Sequence, residues 1–93
     1  MRVVVKLFGE FRAATEGERL ELDVPPGASC RQALQQLVRQ VPAVGPLLFD
    51  DQGEVRDHLN VFVNGRNVST LAGLDTELSP GDSLAFFPPV GGG

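Results

Sequence analysis

Hydrophobic and polar positions alternate in two segments near the start of the chain. Residues 3–8 alternate and are rich in β-branched side chains, which predicts a strand that neighbouring elements largely cover. Gly9-Glu10 ends this strand. Residues 20–24 alternate as well, with aliphatic side chains on one face and carboxylates on the other. The turn Glu16-Gly17-Glu18 lies between the two segments, and the pattern therefore predicts an antiparallel hairpin.

The pattern changes to a helical period after Pro25-Pro26-Gly27. Ser29 and Gln32 have the spacing of a capping box, in which each side chain hydrogen-bonds the backbone N–H of the other residue. Apolar residues at helical spacing follow and end before Pro42: Ala33, Leu34, Leu37, Val38 and Val41. This stretch predicts one amphipathic helix.

The second half of the chain predicts a long loop and three short strands. Residues 42–58 have no clear period, and we expect a loop that carries one helical turn. Residues 59–63 form a strand, Asn64-Gly65 is the strongest hairpin signal in the chain, and a brief strand follows around Val68. The turn Pro80-Gly81-Asp82 leads into the final strand, residues 83–87.

This order of elements predicts an α+β fold, because one substantial helix can cover one face of a mixed sheet. The first and last strands are both strongly apolar, which suits central neighbours in the sheet. Parallel pairing between them would make the fold a β-grasp roll. We expect this domain to span residues 1–87 and an extended tail, Pro-Pro-Val-Gly-Gly-Gly, to span residues 88–93.

Composition narrows the classes of partner. The chain has 93 residues and 42% hydrophobic content, which fits a single small domain. Its net charge is −4 and its basic residues are scattered singly, so we expect no nucleic-acid binding and no directed electrostatic patch. No apolar run approaches the roughly 20 residues of a membrane span, and the first residues lack a signal-peptide layout, so we expect a cytoplasmic protein.

The single cysteine and the single histidine give no metal site. Cys30 lies at the start of the predicted helix, where the helix dipole favours a lowered thiol pKa, but we favour a buried and inert side chain. One cysteine also excludes an internal disulfide. His58 has no companion ligands nearby, and we interpret it as a structural or surface residue.

The most specific feature is the final segment, residues 86–93, which reads Phe-Phe-Pro-Pro-Val-Gly-Gly-Gly. Two prolines favour an extended tail that projects from the body. Glycines without side chains let a backbone thread a narrow channel. We predict that Gly91 and Gly92 thread a partner's active site and that Gly93 presents its carboxylate there. The alternative is a frayed end or a cloning scar.

Three segments resemble the molybdopterin synthase small subunit and its relatives, the sulfur-carrier and ubiquitin-like modifier proteins of bacteria and archaea. They are residues 5–9 with Arg12, residues 63–66, and residues 78–82 continuing into residues 86–93. The resemblance spans nearly the whole chain. Gly91 stands where the family has small or polar residues, and residues 42–58 are longer than in the bacterial subunits and closer to the archaeal modifiers.

The resemblance implies a carrier and not an enzyme. An adenylyltransferase resembling ubiquitin-activating enzymes would activate Gly93 with ATP and magnesium, and sulfur would then displace AMP to leave a thiocarboxylate. The chain itself would bind no cofactor. In the molybdopterin branch of the family, the tail enters the large synthase subunit and gives sulfur to a pterin precursor. Our leading hypothesis is therefore a sulfur carrier for molybdenum cofactor biosynthesis.

Two other functions compete with this hypothesis. In a ubiquitin-like modifier, the activated carboxyl of Gly93 ends as an isopeptide bond on a lysine of a target protein. Lys6 is the only lysine of the chain and lies in the first strand, which disfavours long self-linked chains. An inert interaction domain would use the fold without the chemistry.

Aromatic residues beside the tail indicate a docking face. Strand alternation places Phe8 and Phe87 opposite the inward-facing Leu7 and Phe86, so both rings are expected on the surface. The resemblance implies partner contacts at these positions, with Val68 as a third member and Arg12 as a polar contact for the activating enzyme. Two alternatives stay open: the long loop covers this face, and Arg12 is a solvated surface charge.

Overall fold

The structure is a computed structural model and describes residues 1–15, 17–56 and 59–87. Its strands are β1 (Arg2–Lys6), β2 (Arg19–Asp23), β3 (Asn60–Val63), β4 (Arg66–Asn67) and β5 (Ser83–Phe87). Its α-helices are α1 (Gly9–Thr15), α2 (Cys30–Gln40) and α3 (Gly45–Leu48). Short 3₁₀ turns span Pro42–Val44, Val68–Thr70 and Gly73–Asp75.

The strands within the described residues form one mixed sheet in the order β2-β1-β5-β3-β4. Strand β1 pairs antiparallel with β2, with Val3 opposite Leu22. It pairs parallel with β5, with Val5 opposite Leu84. Strand β5 also pairs antiparallel with β3. The first and last strands are therefore adjacent and central, and the predicted β-grasp fold is confirmed.

Helix α2 begins at the predicted capping box. The Gln32 backbone N–H donates to Ser29 Oγ at 3.2 Å, and the Ser29 N–H donates to Gln32 Oε1 at 2.8 Å. The helix ends at Gln40, before Pro42. Its buried stripe consists of Cys30, Ala33, Leu34 and Leu37. These side chains belong to the same core cluster as the inward-facing residues of the sheet, so α2 covers one face of it as predicted.

The connection between β1 and β2 differs from the prediction. The two strands pair as expected, but helix α1 occupies the place where Gly9-Glu10 was expected only to end a strand. Gly9 has a φ of 57°, which glycine adopts without steric cost. Phe11 is the one buried side chain of this helix, and its ring meets Phe86 edge-on with centroids 4.8 Å apart. A single buried residue gives too little periodicity for the helix to be visible in the sequence.

The described part of the predicted loop, residues 42–56, contains slightly more helix than predicted. The 3₁₀ turn Pro42–Val44 runs directly into α3, and Leu48 anchors this region in the core. A turn follows in which Asp50 Oδ1 accepts hydrogen bonds from the backbone of Gln52 and of Glu54. His58 lies outside the described residues.

The Asn64-Gly65 hairpin forms as predicted. Asn64 and Gly65 have φ values of 51° and 82°, and Val63 pairs with Arg66 across a two-residue turn. Positive φ at both central positions is the signature of a type I′ turn. The strand that follows ends at Asn67, one residue before Val68, which starts a 3₁₀ turn instead. The brief strand predicted around Val68 is therefore present, but it ends before Val68 and does not include it.

The core of the described residues is entirely apolar, and no charged or polar side chain among them is buried. Cys30 lies in this core with no exposed surface. Burial, with a smaller contribution from the negative charge of Asp82, raises the pKa of the Cys30 thiol to about 11. The interpretation of Cys30 as a buried hydrophobe is confirmed. Of the described helices, none is long and apolar enough to cross a membrane.

Candidate functional site

The outer face of the sheet carries the aromatic residues that the sequence analysis placed on the surface. Phe8 is 40% exposed and Phe87 is 36% exposed, whereas their neighbours Leu7 and Phe86 are buried. Phe87 closes β5, and Phe8 lies between β1 and α1. Both rings are exposed beside the described part of the loop, residues 42–56, so the alternative in which that loop covers them is wrong.

Three aromatic rings form one cluster on this face. The rings of Phe8 and Phe87 stack with centroids 4.7 Å apart and planes inclined by 23°. The Phe62 ring meets Phe87 edge-on at 5.4 Å. We call these three residues the aromatic surface. Such contacts fix ring positions, since an aromatic pair adds about 0.5–1.5 kcal/mol beyond the area that it buries.

Phe62 is not among the functional residues predicted from the sequence. Its position in the alternating pattern of β3 could have identified it, because Phe62 lies between the inward-facing Val61 and Val63. Strand alternation therefore places it on the outer face. Its neighbour on β5 in the sheet is Ala85, a small residue two positions from Phe87. The small side chain leaves room for the Phe62 ring beside Phe87.

A concave site of about 310 Å³ adjoins the aromatic surface. Its lining residues are Lys6, Leu7, Phe8, Arg12, Glu18 and Arg19. Three bases and one acid make its lining net positive, although the whole chain carries a charge of −4. We call Lys6, Arg12 and Arg19 the basic rim. The β1–β2 register places Lys6 opposite Arg19, so basic residues that are scattered along the sequence lie together here.

Arg12 faces this concave site from α1. Its Nη2 lies 2.7 Å from Glu18 Oε1, and both side chains are more than half exposed. An ion pair this exposed contributes about 0–1 kcal/mol to stability, so the pair can open at little cost. Arg12 is thus a solvated surface charge, which was one of the two alternatives. It also lines the same concave site as Phe8, within reach of a docked partner.

Val68 does not join the aromatic surface. Its side chain is only 6% exposed and belongs to the hydrophobic core. The Asn67 side chain accepts a hydrogen bond from the Ser69 N–H at 2.9 Å and starts the 3₁₀ turn, which turns Val68 inward. The prediction of Val68 as an exposed partner contact is therefore wrong.

Gly91, Gly92 and Gly93 lie outside the described residues, as does the Pro88-Pro89 spacer. The last described residue is Phe87, which is also a member of the aromatic surface. In the sequence, residues 88–93 therefore follow a member of that surface.

Known proteins resemble this chain in sequence and in fold. The sequence matches the ThiS family over residues 5–93. The chain belongs to the ThiS family. Small archaeal modifier protein 1 of Haloferax volcanii is 39% identical over 88 residues, a match that covers 95% of this chain and 97% of the relative.

Solved structures of similar proteins share the whole architecture of this ThiS-family chain. The crystal structure of small archaeal modifier protein 1 from Haloferax volcanii superposes with a TM-score of 0.89 at 36% identity and covers 100% of both chains. A putative molybdopterin converting factor, subunit 1, from Pyrococcus furiosus has a TM-score of 0.75 at 29% identity, with 97% of this chain and 99% of that chain covered. This chain is thus a ubiquitin-like β-grasp protein of the sulfur-carrier and modifier class, and not an enzyme.

Proposed function

We propose that this ThiS-family protein is a sulfur carrier of the molybdopterin synthase small-subunit type. The Gly93 carboxylate is adenylated and then converted to a thiocarboxylate, which donates sulfur in molybdenum cofactor biosynthesis. The observation that carries the proposal is the exposed aromatic surface, whose Phe87 directly precedes the Pro-Pro spacer and the three glycines. A body that docks through this surface aims the tail at its partner's active site.

The chemistry needs no side chain of this protein. A carboxylate is a poor acyl donor until its oxygen becomes a leaving group, and a mixed anhydride with AMP provides one. The activating adenylyltransferase would supply the ATP and magnesium site. The tail supplies the carboxylate on a backbone without side chains, which reaches the reacting centre through a narrow channel.

The proposal also makes a prediction about the surfaces of the partners. The adenylyltransferase and the large synthase subunit would each offer an apolar groove for Phe8 and Phe87. Carboxylates beside that groove would match the basic rim, which steers docking and fixes its orientation more than it adds affinity. The same surface would then bind one partner at a time, so one molecule cannot be activated and deliver sulfur simultaneously.

Modification of other proteins is the second candidate function. It is favoured by the names of two relatives that match nearly the full chain, small archaeal modifier proteins 1 and 3 of Haloferax volcanii, at 39% and 34% identity. The sulfur-delivery branch is favoured by the Pyrococcus furiosus neighbour, whose title names a molybdopterin converting factor. Both functions begin with the same adenylate on Gly93. They differ in the nucleophile that attacks its carbonyl carbon and displaces AMP, which is sulfur in the carrier and a lysine amine of the target protein in the modifier.

Intact-mass measurement tests the carrier function. After incubation with the adenylyltransferase of the same organism, ATP, magnesium and a sulfur donor, the protein should gain the mass difference between sulfur and oxygen. A variant without Gly93 is the matched control and should gain nothing. A separate reaction with a known substrate shows that the enzyme is active and consumes ATP. If the mass of the full chain stays unchanged with this active enzyme, the proposal is refuted.

Peptide mapping of target proteins tests the modifier function. A protease that cleaves after aspartate and glutamate would leave residues 83–93 attached to target lysines, since Asp82 is the last acidic residue. Trypsin would leave a much longer remnant, because Arg66 is the last basic residue. Remnants on lysines that depend on ATP support conjugation, and their absence from cells that contain the thiocarboxylate leaves only the carrier function.

A further inference from the structure

Strand β2 is an edge of the described sheet, because it pairs with β1 on one side only. It is five residues long, whereas β4 at the opposite edge has two. An exposed edge strand offers a row of unpaired backbone N–H and C=O groups to a further strand. Of the two edges of this sheet, β2 therefore offers the longer row.

The hydrogen bonds of β2 show which of its backbone groups point outward. The Met1 ammonium donates to the Val24 carbonyl oxygen at 2.6 Å, and the Val24 N–H donates to the Met1 carbonyl oxygen at 2.8 Å. Hydrogen-bonded pairs of an antiparallel ladder recur at every second residue, so the backbone groups of residues 19, 21 and 23 point away from β1. Among the described side chains, Gln40 reaches one of these groups, since its Nε2 donates to the Glu21 carbonyl oxygen at 3.4 Å.

The side chains at these outward positions carry charges in an order that is complementary to itself. Arg19, Glu21 and Asp23 are all exposed, and Arg19 takes part in none of the ion pairs among the described residues. A second copy of β2, antiparallel and related by a two-fold axis at Glu21, places Arg19 opposite Asp23 of that copy. The symmetry forms this pair twice. Opposite charges that face each other across two strands stabilise the pairing.

The register centred on Glu21 is favoured over its neighbours. It pairs all five residues of β2 and forms hydrogen-bonded pairs at the three outward positions. A shift by two residues in either direction leaves two of the five residues unpaired. One of these shifts also places Glu21 opposite Asp23, and like charges at facing positions are destabilising.

The two Glu21 side chains face each other at the two-fold axis, and their like charges need compensation. Arg2 of each copy supplies it, because its Nη1 lies 3.5 Å from Glu21 Oε2. The axis therefore brings together two arginines and two glutamates, and its charges balance.

We propose that β2 is a self-association edge, at which two copies of this chain pair antiparallel and join their five-stranded sheets. The Glu21 carbonyl oxygen has two lone pairs, so it accepts a hydrogen bond from the second copy beside the one from Gln40. This inference does not depend on the proposed activation of Gly93.

Self-association and partner docking share one residue. Arg19 belongs to the basic rim, so its pairing with Asp23 of a second copy withdraws one of the three bases from partners. The aromatic surface stays uncovered, because its three residues lie in β3 and β5 or follow β1. A paired copy therefore keeps its apolar contacts for docking and loses part of its charge.

Disulfide trapping tests the register. At the two-fold axis the Cα atoms of the two residues 21 lie about 5.5 Å apart, a distance that a disulfide bridges. Those of the two residues 23 are separated by four strand residues, roughly 14 Å, which a disulfide does not bridge. We expect Glu21→Cys to form a linked dimer at least tenfold faster than Asp23→Cys, its matched control, in the same mild oxidant. Both positions are exposed and Cys30 is buried, so equal rates would overturn the register.

Charge exchange tests the complementarity of the full chain in solution. Sedimentation equilibrium in low-salt buffer should show that the wild type dimerises reversibly at concentrations up to about 1 mM. Arg19→Asp and Asp23→Arg each set like charges opposite one another, so each variant alone should dimerise at least tenfold more weakly. An equimolar mixture of the two restores both opposite-charge pairs and should dimerise like the wild type.

Two results would overturn the inference. One is a wild type that stays monomeric at about 1 mM. The other is a mixture that associates no more than its two components do separately. Neither result touches the proposed function, because the intact-mass measurement on Gly93 is read from the tail and not from the oligomeric state.

Discussion

Phe86 and Phe87 are consecutive residues of β5 on opposite faces of the sheet, and replacing each with alanine separates docking from folding. Phe87 is 36% exposed on the aromatic surface, whereas Phe86 is buried against Phe11. We expect Phe87→Ala to weaken binding to the adenylyltransferase and to leave the fold intact. Phe86→Ala should mainly destabilise the fold.

The size of both effects follows from the areas involved. A phenylalanine presents about 200 Å², so covering the 36% of Phe87 that is exposed buries about 70 Å² in a complex. At about 25 cal/mol per Å² this is worth about 1.8 kcal/mol, or roughly a 20-fold rise in Kd on truncation. In the free protein, Phe87→Ala loses its two ring contacts, with Phe8 and Phe62, which are worth about 1–3 kcal/mol together at about 0.5–1.5 kcal/mol each. Phe86→Ala should cost about 3–5 kcal/mol.

Titration calorimetry gives the Kd for the adenylyltransferase, and urea unfolding gives the free energy of unfolding. Leu71→Ala is the matched control, because Leu71 is an apolar residue with 37% exposure that does not belong to the aromatic surface. It should bind like the wild type. If folded Phe87→Ala binds within twofold of the wild type, or if Leu71→Ala weakens binding equally, the aromatic surface is not the docking face.

Two further predictions concern α2. Ser29→Ala removes the side-chain acceptor for the Gln32 N–H and should lower the free energy of unfolding by about 1 kcal/mol in urea titration; no change would show that the capping box is not stabilising. Burial and Asp82 raise the pKa of Cys30 from 9.0 to about 11, so the folded protein retains the thiol proton more tightly than the unfolded chain. Stability should therefore be intact below pH 9 and decline toward pH 11, and Cys30→Ala should decline less; equal declines would contradict the shift.

Local signals in the sequence predicted the elements that have local causes. The capping pair Ser29 and Gln32 sets where α2 begins, and the positive φ values at Asn64 and Gly65 set the β3–β4 turn. Alternation in residues 83–87 correctly divided Phe86 from Phe87. Each of these signals lies within a few residues, so one window of sequence contains both cause and effect.

The remaining features depend on contacts between distant residues. Lys6 and Arg19 are neighbours only because β1 and β2 pair in one register, so charges that look scattered along the sequence form the basic rim. Val68 is a β-branched residue of the type that is common in strands, but the Asn67 side chain starts a 3₁₀ turn that buries it. Helix α1 depends on Phe11 reaching Phe86, a contact across most of the chain.

That missed helix also positions the candidate site. Phe8 lies just before α1, and its carbonyl oxygen accepts a hydrogen bond from the Phe11 N–H at 3.1 Å. Phe11 is in turn fixed in the core by its edge-on contact with Phe86. The inner pair Phe11 and Phe86 therefore holds the backbone that carries the outer pair Phe8 and Phe87. Because the tail follows Phe87 directly, the core packing of these inner rings determines where the docking face lies relative to the start of the tail.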